Sequence, residues 1–81
     1  MPKLKQTPAR RSQLLFLGNL DKRIRVEDMT YGQLAKVIGM PLSTLNSRKA
    51  NPEDFKLSEM KIIFKALHFT DAEILESVKG V

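Results

Sequence analysis

The sequence predicts an all-α domain of five short helices, and three observations carry that prediction. Apolar residues recur at steps of three and four between Ser12 and Ile24, between Leu34 and Ile38, and between Leu57 and Leu67. Thr30 and Thr70 are each followed three positions later by Gln or Glu, the spacing of a reciprocal capping box that opens a helix. No alternation of apolar and polar residues runs long enough to make a strand.

Taken in order, Pro2, Thr7, Pro8 and the cations Lys3, Lys5, Arg10 and Arg11 leave residues 1 to 10 without an apolar face. Residues 1–11 are therefore expected to be a flexible basic arm, with residues 12–81 as the single domain. A first helix follows from Ser12, striped by Leu14, Leu17, Leu20 and Ile24 and widened by Leu15 and Phe16. Arg23, Arg25, Glu27 and Asp28 then make a polar passage, which Val26 and Met29 are expected to anchor to the core.

Thr30 and Gln33 start the second helix at Tyr31, where the Thr hydroxyl accepts from the third backbone N–H and the Gln reaches back. Leu34, Ala35 and Ile38 share one face, Val37 flanks it, and Gly39 closes the helix in the left-handed conformation that only Gly adopts cheaply. Pro41 suits the start of the next element because its missing N–H would have had no partner there. The third helix runs from about Leu42 to Lys49 and ends before Asn51 and Pro52. A polar loop to Lys56 leads into an amphipathic fourth helix, with Leu57, Met60, Ile63, Phe64 and Leu67 on one side and Glu59, Lys61 and Lys65 on the other. His68, expected as a C-terminal cap, and Phe69 form its exit. Thr70 and Glu73, with Asp71 beside them, launch a last helix bearing Ile74, Leu75 and Val78. Phe69, Ile74, Leu75 and Val78 either close the core or pair two subunits.

Composition narrows the function classes. A chain of 81 residues buries only about 60% of its unfolded surface and has room for one domain. With no Cys and a single His, neither disulfides nor a zinc site is expected, and no cofactor is implied. The longest apolar runs, Leu14 to Leu17 and Ile62 to Phe64, fall far short of the roughly 20 residues of a bilayer span. No export signal is read at the start, so a cytoplasmic protein without a membrane partner is expected. Glu53 and Asp54 are adjacent acids in a loop with no convergent nucleophile, base or metal set, which argues against an enzyme. Charge is uneven. Residues 1–50 carry ten Lys/Arg against three Asp/Glu, +7, and residues 51–81 carry four against six, −2. That is the footprint of a face for a polyanion, or of a solvated surface that happens to be basic.

The stretch Thr30 to Ala50, TYGQLAKVIGMPLSTLNSRKA, reads as two short helices joined by a tight Gly-containing turn, a helix-turn-helix. Ala35 is the small residue where the helices cross, Gly39 stands four positions on at the turn, and Leu45, six later, projects back between them. Leu34 and Ile38 complete this motif core. Together with LSEMKIIFKALHFTDAEIL downstream, the chain resembles the helix-turn-helix family of phage repressors and Cro proteins, also called the xenobiotic-response-element family. The resemblance covers about residues 30 to 78, with residues 12 to 25 in the place of the family's first helix. It implies a five-helix, lambda-repressor-like DNA-binding domain, and a regulator that binds double-stranded operator DNA, frequently as a homodimer on palindromic half-sites. The chain departs from the family pattern at Tyr31, where a phosphate-binding Gln is common, at Gly32, a poor helix former, and at Arg48, where many members have an apolar residue.

A helix in the major groove offers its outward N-terminal side chains to base edges. The base-reading candidates are Leu42, Ser43, Thr44, Asn46 and Ser47, with Asn46 foremost because its amide donates and accepts together against adenine. Phosphate candidates are Tyr31 through its hydroxyl, Gln33, Lys36, Arg48 and Lys49. The basic arm either tracks the backbone or minor groove or is a plain tail. The competing reading is a protein-interaction module, such as an antitoxin or phage accessory protein, that grips a protein partner through exposed Leu42 and the C-terminal helix.

Overall fold

The computed structural model describes residues 8–80, and among them the chain forms five α-helices and no strand. These are α1 (Pro8–Val26), α2 (Tyr31–Ile38), α3 (Leu42–Ala50), α4 (Leu57–Ala66) and α5 (Asp71–Lys79), with one 3-10 turn at Pro52–Asp54 between α3 and α4. None of these helices is long and apolar enough to cross a membrane.

Helix α1 starts at Pro8, four residues before the expected Ser12, because a proline in the first turn has no useful N–H to lose. Arg10 and Arg11 therefore belong to the helix and not to an arm. Arg11 Nε donates to the carbonyl of Gly80 at 2.8 Å, which ties the start of α1 to the end of α5. Lys3 and Lys5 lie outside the described residues. Along α1 the buried stripe is Phe16, Leu20 and Ile24 at steps of four, with Leu17 half-buried, while Leu14 lies at its exposed margin. Val26 corrects a second expectation. It is 59% exposed and anchors nothing, whereas Met29 does pack on the core.

Three helices end in one device. Asp28 (φ 52°), Gly39 (φ 72°) and His68 (φ 57°) each turn left-handed after α1, α2 and α4. The next residue then donates back to the helix: Met29 to Ile24 O, Met40 to Ala35 O and Phe69 to Phe64 O, at 2.9–3.0 Å. These bonds satisfy carbonyls that a helix end otherwise leaves unpaired, and they fold an apolar side chain back over the last turn. His68 does close α4 with its backbone, but its ring reaches away, Nδ1 lying 2.8 Å from Glu27 Oε1 at the end of α1.

The centre of the core is aromatic. All four phenylalanines meet there: Phe16 sits edge-on to Phe55 and Phe64 at centroid distances of 5.0 and 6.0 Å, and Phe69 lies 5.0 Å from Phe64. Edge-to-face pairs of this kind add about 0.5–1.5 kcal/mol beyond area burial. Leu20, Leu34, Leu45, Ile63 and Leu67 fill the remainder and are fully buried. Phe55 and Pro52 are buried although the segment before Lys56 reads as a polar loop, while Leu57, expected on the buried face of α4, is exposed at its first position.

Helix α5 runs antiparallel to α1 and contacts it through polar groups. Its buried side chains are Glu73 and Ser77, with Ile74 half-buried, whereas Leu75 and Val78 are 45% and 46% exposed and do not close the core. Buried Asn19 of α1 donates from Nδ2 to Glu73 O at 3.3 Å, Glu76 Oε1 at 3.1 Å and Ser77 Oγ at 3.4 Å. Lys22 pairs with Glu73, and Arg23 donates to Leu67 O at 2.9 Å. No buried side-chain polar atom among the described residues lacks a partner.

Candidate nucleic-acid interface

The site is built on α2 and α3. Both bonds of the Thr30 capping box form: Gln33 N donates to Thr30 Oγ1 at 3.1 Å and Thr30 N donates to Gln33 Oε1 at 2.8 Å. Gly39 then turns the chain in the left-handed conformation, and Pro41, in extended backbone, precedes α3 without a side-chain cap. Leu34, Ala35 and Leu45 are buried where α2 meets α3, and Ile38 packs partly against the same cluster. Ala35 permits the close approach because its side chain is a single methyl group. The α2–α3 pair is thereby fixed by packing on one side, and its other side is free.

That free side of α3 is a continuous stripe. Leu42, Ser43, Asn46, Ser47 and Ala50 are exposed at spacings of one, three and four, while Leu45 is fully buried. Leu42, at its N-terminal end, is 44% exposed. Thr44 is half-buried and lies off the stripe. An open cleft of about 450 Å³ separates α2 from the start of α3, with Gln33, Lys36, Pro41 and Leu42 among its walls.

The proposed phosphate ligands are not equivalent. Lys36 is exposed and carries no ion pair among the described residues. The Gln33 carbonyl is committed to the cap, which leaves only its amide NH₂ for another partner. The Tyr31 hydroxyl donates to the Asp21 carboxylate of α1. Lys49 is half-buried with Nζ 3.4 Å above the centre of the Tyr31 ring, a cation–π contact.

Arg48 departs most from expectation. Instead of standing exposed beside Lys49, it is half-buried and donates from Nε and Nη2 to Glu59 of α4 at 3.3 and 3.4 Å. Burial pushes the Glu59 carboxyl up, but the Lys56 backbone N–H, the Arg48 hydrogen bonds and the charge of Arg48 outweigh it, so the group is held below the ordinary carboxylate value. Asp21 and Glu59 are the residues that sequence reasoning missed. Glu59 shows a local signal, an acid three positions after Lys56, but its pairing with Arg48 spans eleven residues and depends on how α3 lies on α4.

Comparison of the chain with protein-family models, curated proteins and solved structures returned no match.

Proposed function

We propose that α2 and α3 form a helix-turn-helix of the lambda-repressor-like kind and that the chain is a sequence-specific double-stranded-DNA-binding regulator. In this reading residues 42–49 enter the major groove, with a bacterial or phage-type role in transcription and a site of action in the cytoplasm. One observation carries the reading: α3 is held by Leu45 and Ala35 on one side and presents Leu42, Ser43, Asn46 and Ser47 to solvent on the other. A short helix anchored by a single buried seam, with small hydrogen-bonding side chains outward, matches what base-edge readout requires. The +7 charge of residues 1–50 supplies the sequence-independent attraction to a phosphate backbone.

The test is a titration of duplexes of about three helical turns, each containing a selected or a scrambled sequence, over a range of salt. Asn46→Ala is expected to weaken binding to the selected sequence by about 1–3 kcal/mol and to leave the scrambled one unchanged. Lys36→Ala is expected to weaken both and to lower the salt slope by about 1. Absence of any duplex binding at low salt would remove the proposal.

A second reading is favoured by α5, which turns Leu75 and Val78 outward next to the half-buried Ile74. An apolar face of this sort suits a protein partner or a second copy of the chain. Association that persists at high salt and is lost in Leu75→Ser would support it. A monomer at all concentrations, with no partner retained, would count against it.

A further inference from the structure

The two cations of α3 are both withdrawn from its outward face. Arg48 is held by Glu59 through two hydrogen bonds, and Lys49 lies over the Tyr31 ring. What remains toward solvent in the first two turns is Leu42, Ser43, Asn46 and Ser47. Guanine presents two acceptors, N7 and O6, in the major groove and is read by a head with two donors, Arg or Lys. The outward face of α3 has none. An amide sets an NH₂ donor group beside a carbonyl acceptor, the complement of adenine N7 and N6–H, and the Asn46 side chain has no protein partner among the described residues. Leu42 offers only methyl groups, and the one apolar feature on any base edge in that groove is the thymine 5-methyl.

Spacing joins the two residues. Leu42 and Asn46 are four apart on one helical face, which puts their Cβ atoms about 5–6 Å from each other. Base pairs stack at about 3.4 Å, so side chains at that separation reach base pairs one or two steps apart. Leu42 opens the helix, the end that reaches base edges first.

We propose that the outward face of α3 reads an A·T-containing step, Leu42 packing on the 5-methyl group of a thymine and Asn46 pairing with the edge of a neighbouring adenine. The inference rests on the DNA-binding reading above and specifies its target. It makes Leu42 a specificity determinant and makes the absence of a guanine reader part of the design.

The experiment selects bound sequences from a random pool of duplexes about two helical turns long with the full chain at low salt. The recovered duplex is then remade with deoxyuridine in place of thymidine at each core position, which removes only the methyl group. Wild-type protein is expected to recover an A·T step and to bind the deoxyuridine duplex about fourfold more weakly, the value of one buried methyl. Leu42→Ala is expected to bind the two duplexes equally, and Asn46→Ala to lose the adenine preference while keeping the thymine–deoxyuridine difference. Both positions are exposed, and the helical circular dichroism of each variant verifies its fold. A recovered core of G·C pairs, equal wild-type binding to both duplexes, or a difference that survives Leu42→Ala would overturn the inference and leave DNA binding intact. Failure to recover any duplex would instead overturn the DNA reading, and this one with it.

Discussion

Arg48 of α3 and Glu59 of α4 are joined by two hydrogen bonds, Nε to Oε1 at 3.3 Å and Nη2 to Oε2 at 3.4 Å, and this pair decides how much positive charge α3 presents. Glu59→Gln keeps an acceptor for the Lys56 N–H but removes the charge that holds the guanidinium. The variant is expected to bind duplex DNA of any sequence more tightly, with a log–log salt slope steeper by about 1. Its folding stability is expected to fall by only about 0.5–1 kcal/mol, because the pair is partly solvated. Fluorescence anisotropy against salt and a urea melt measure the two effects separately, and an unchanged slope would mean that Glu59 does not withhold Arg48.

The left-handed helix ends make opposite predictions at two positions. Asp28 adopts φ 52° with a side chain, at about 1–2 kcal/mol for a non-glycine residue. Asp28→Gly relieves that strain and adds about 0.5–1 kcal/mol of unfolded-chain entropy, so a net gain near 0.5–1 kcal/mol is expected. Gly39→Ala goes the other way, a loss of about 1–2 kcal/mol, and the loss is purely conformational since a Cβ there would meet nothing within 4 Å. Paired urea midpoints at equal m-values test both.

Acid is expected to weaken the seam between α1 and α5. Burial pushes the Glu73 carboxyl up, yet the hydrogen bonds from Lys22 and the Thr70 N–H, with the charge of Lys22, outweigh it and hold the group below its ordinary value. A carboxylate depressed on folding contributes stability above its unfolded value of about 4.3, and that contribution is lost as pH falls toward the folded value. The melting temperature should therefore be level from pH 7 to 5 and drop below about pH 4. Glu73→Gln should flatten part of that drop and cost about 1–2 kcal/mol at pH 7, discounted because Lys22 is half-exposed. A variant with the full wild-type acid transition would place the sensitive group elsewhere.

Helix count and order were legible because each start carries its own local chemistry: the boxes at Thr30 and Thr70 and the turn at Gly39 act within a few residues. Ends without glycine were not, since Asp28 and His68 take the left-handed conformation only because Met29 and Phe69 gain burial by it. Phe55 stayed hidden for a related reason. It stands between charged residues with no periodic partner, and only the position of Phe16 explains its burial. On α5 periodicity misled, because the residues facing α1 are the polar ones and Asn19, four helices earlier in order, makes that choice favourable. In the candidate interface the exposed positions of α3 follow from Leu45 alone, whereas the state of Arg48 and Lys49 depends on Glu59 and Tyr31, which belong to other helices.

The polar seam of α5 also bears on how the molecule comes apart. Undocking α5 would uncover no fully buried apolar side chain of its own: it gives up the half-buried Ile74 and otherwise hydrogen-bonding groups that water can satisfy. The side chains of α5 themselves therefore add little to the heat capacity and denaturant sensitivity of unfolding, since both track apolar exposure. The amides of α5 are thus set to exchange with solvent through a partial opening, while those of α1, α2 and α4 around the phenylalanines wait for global unfolding.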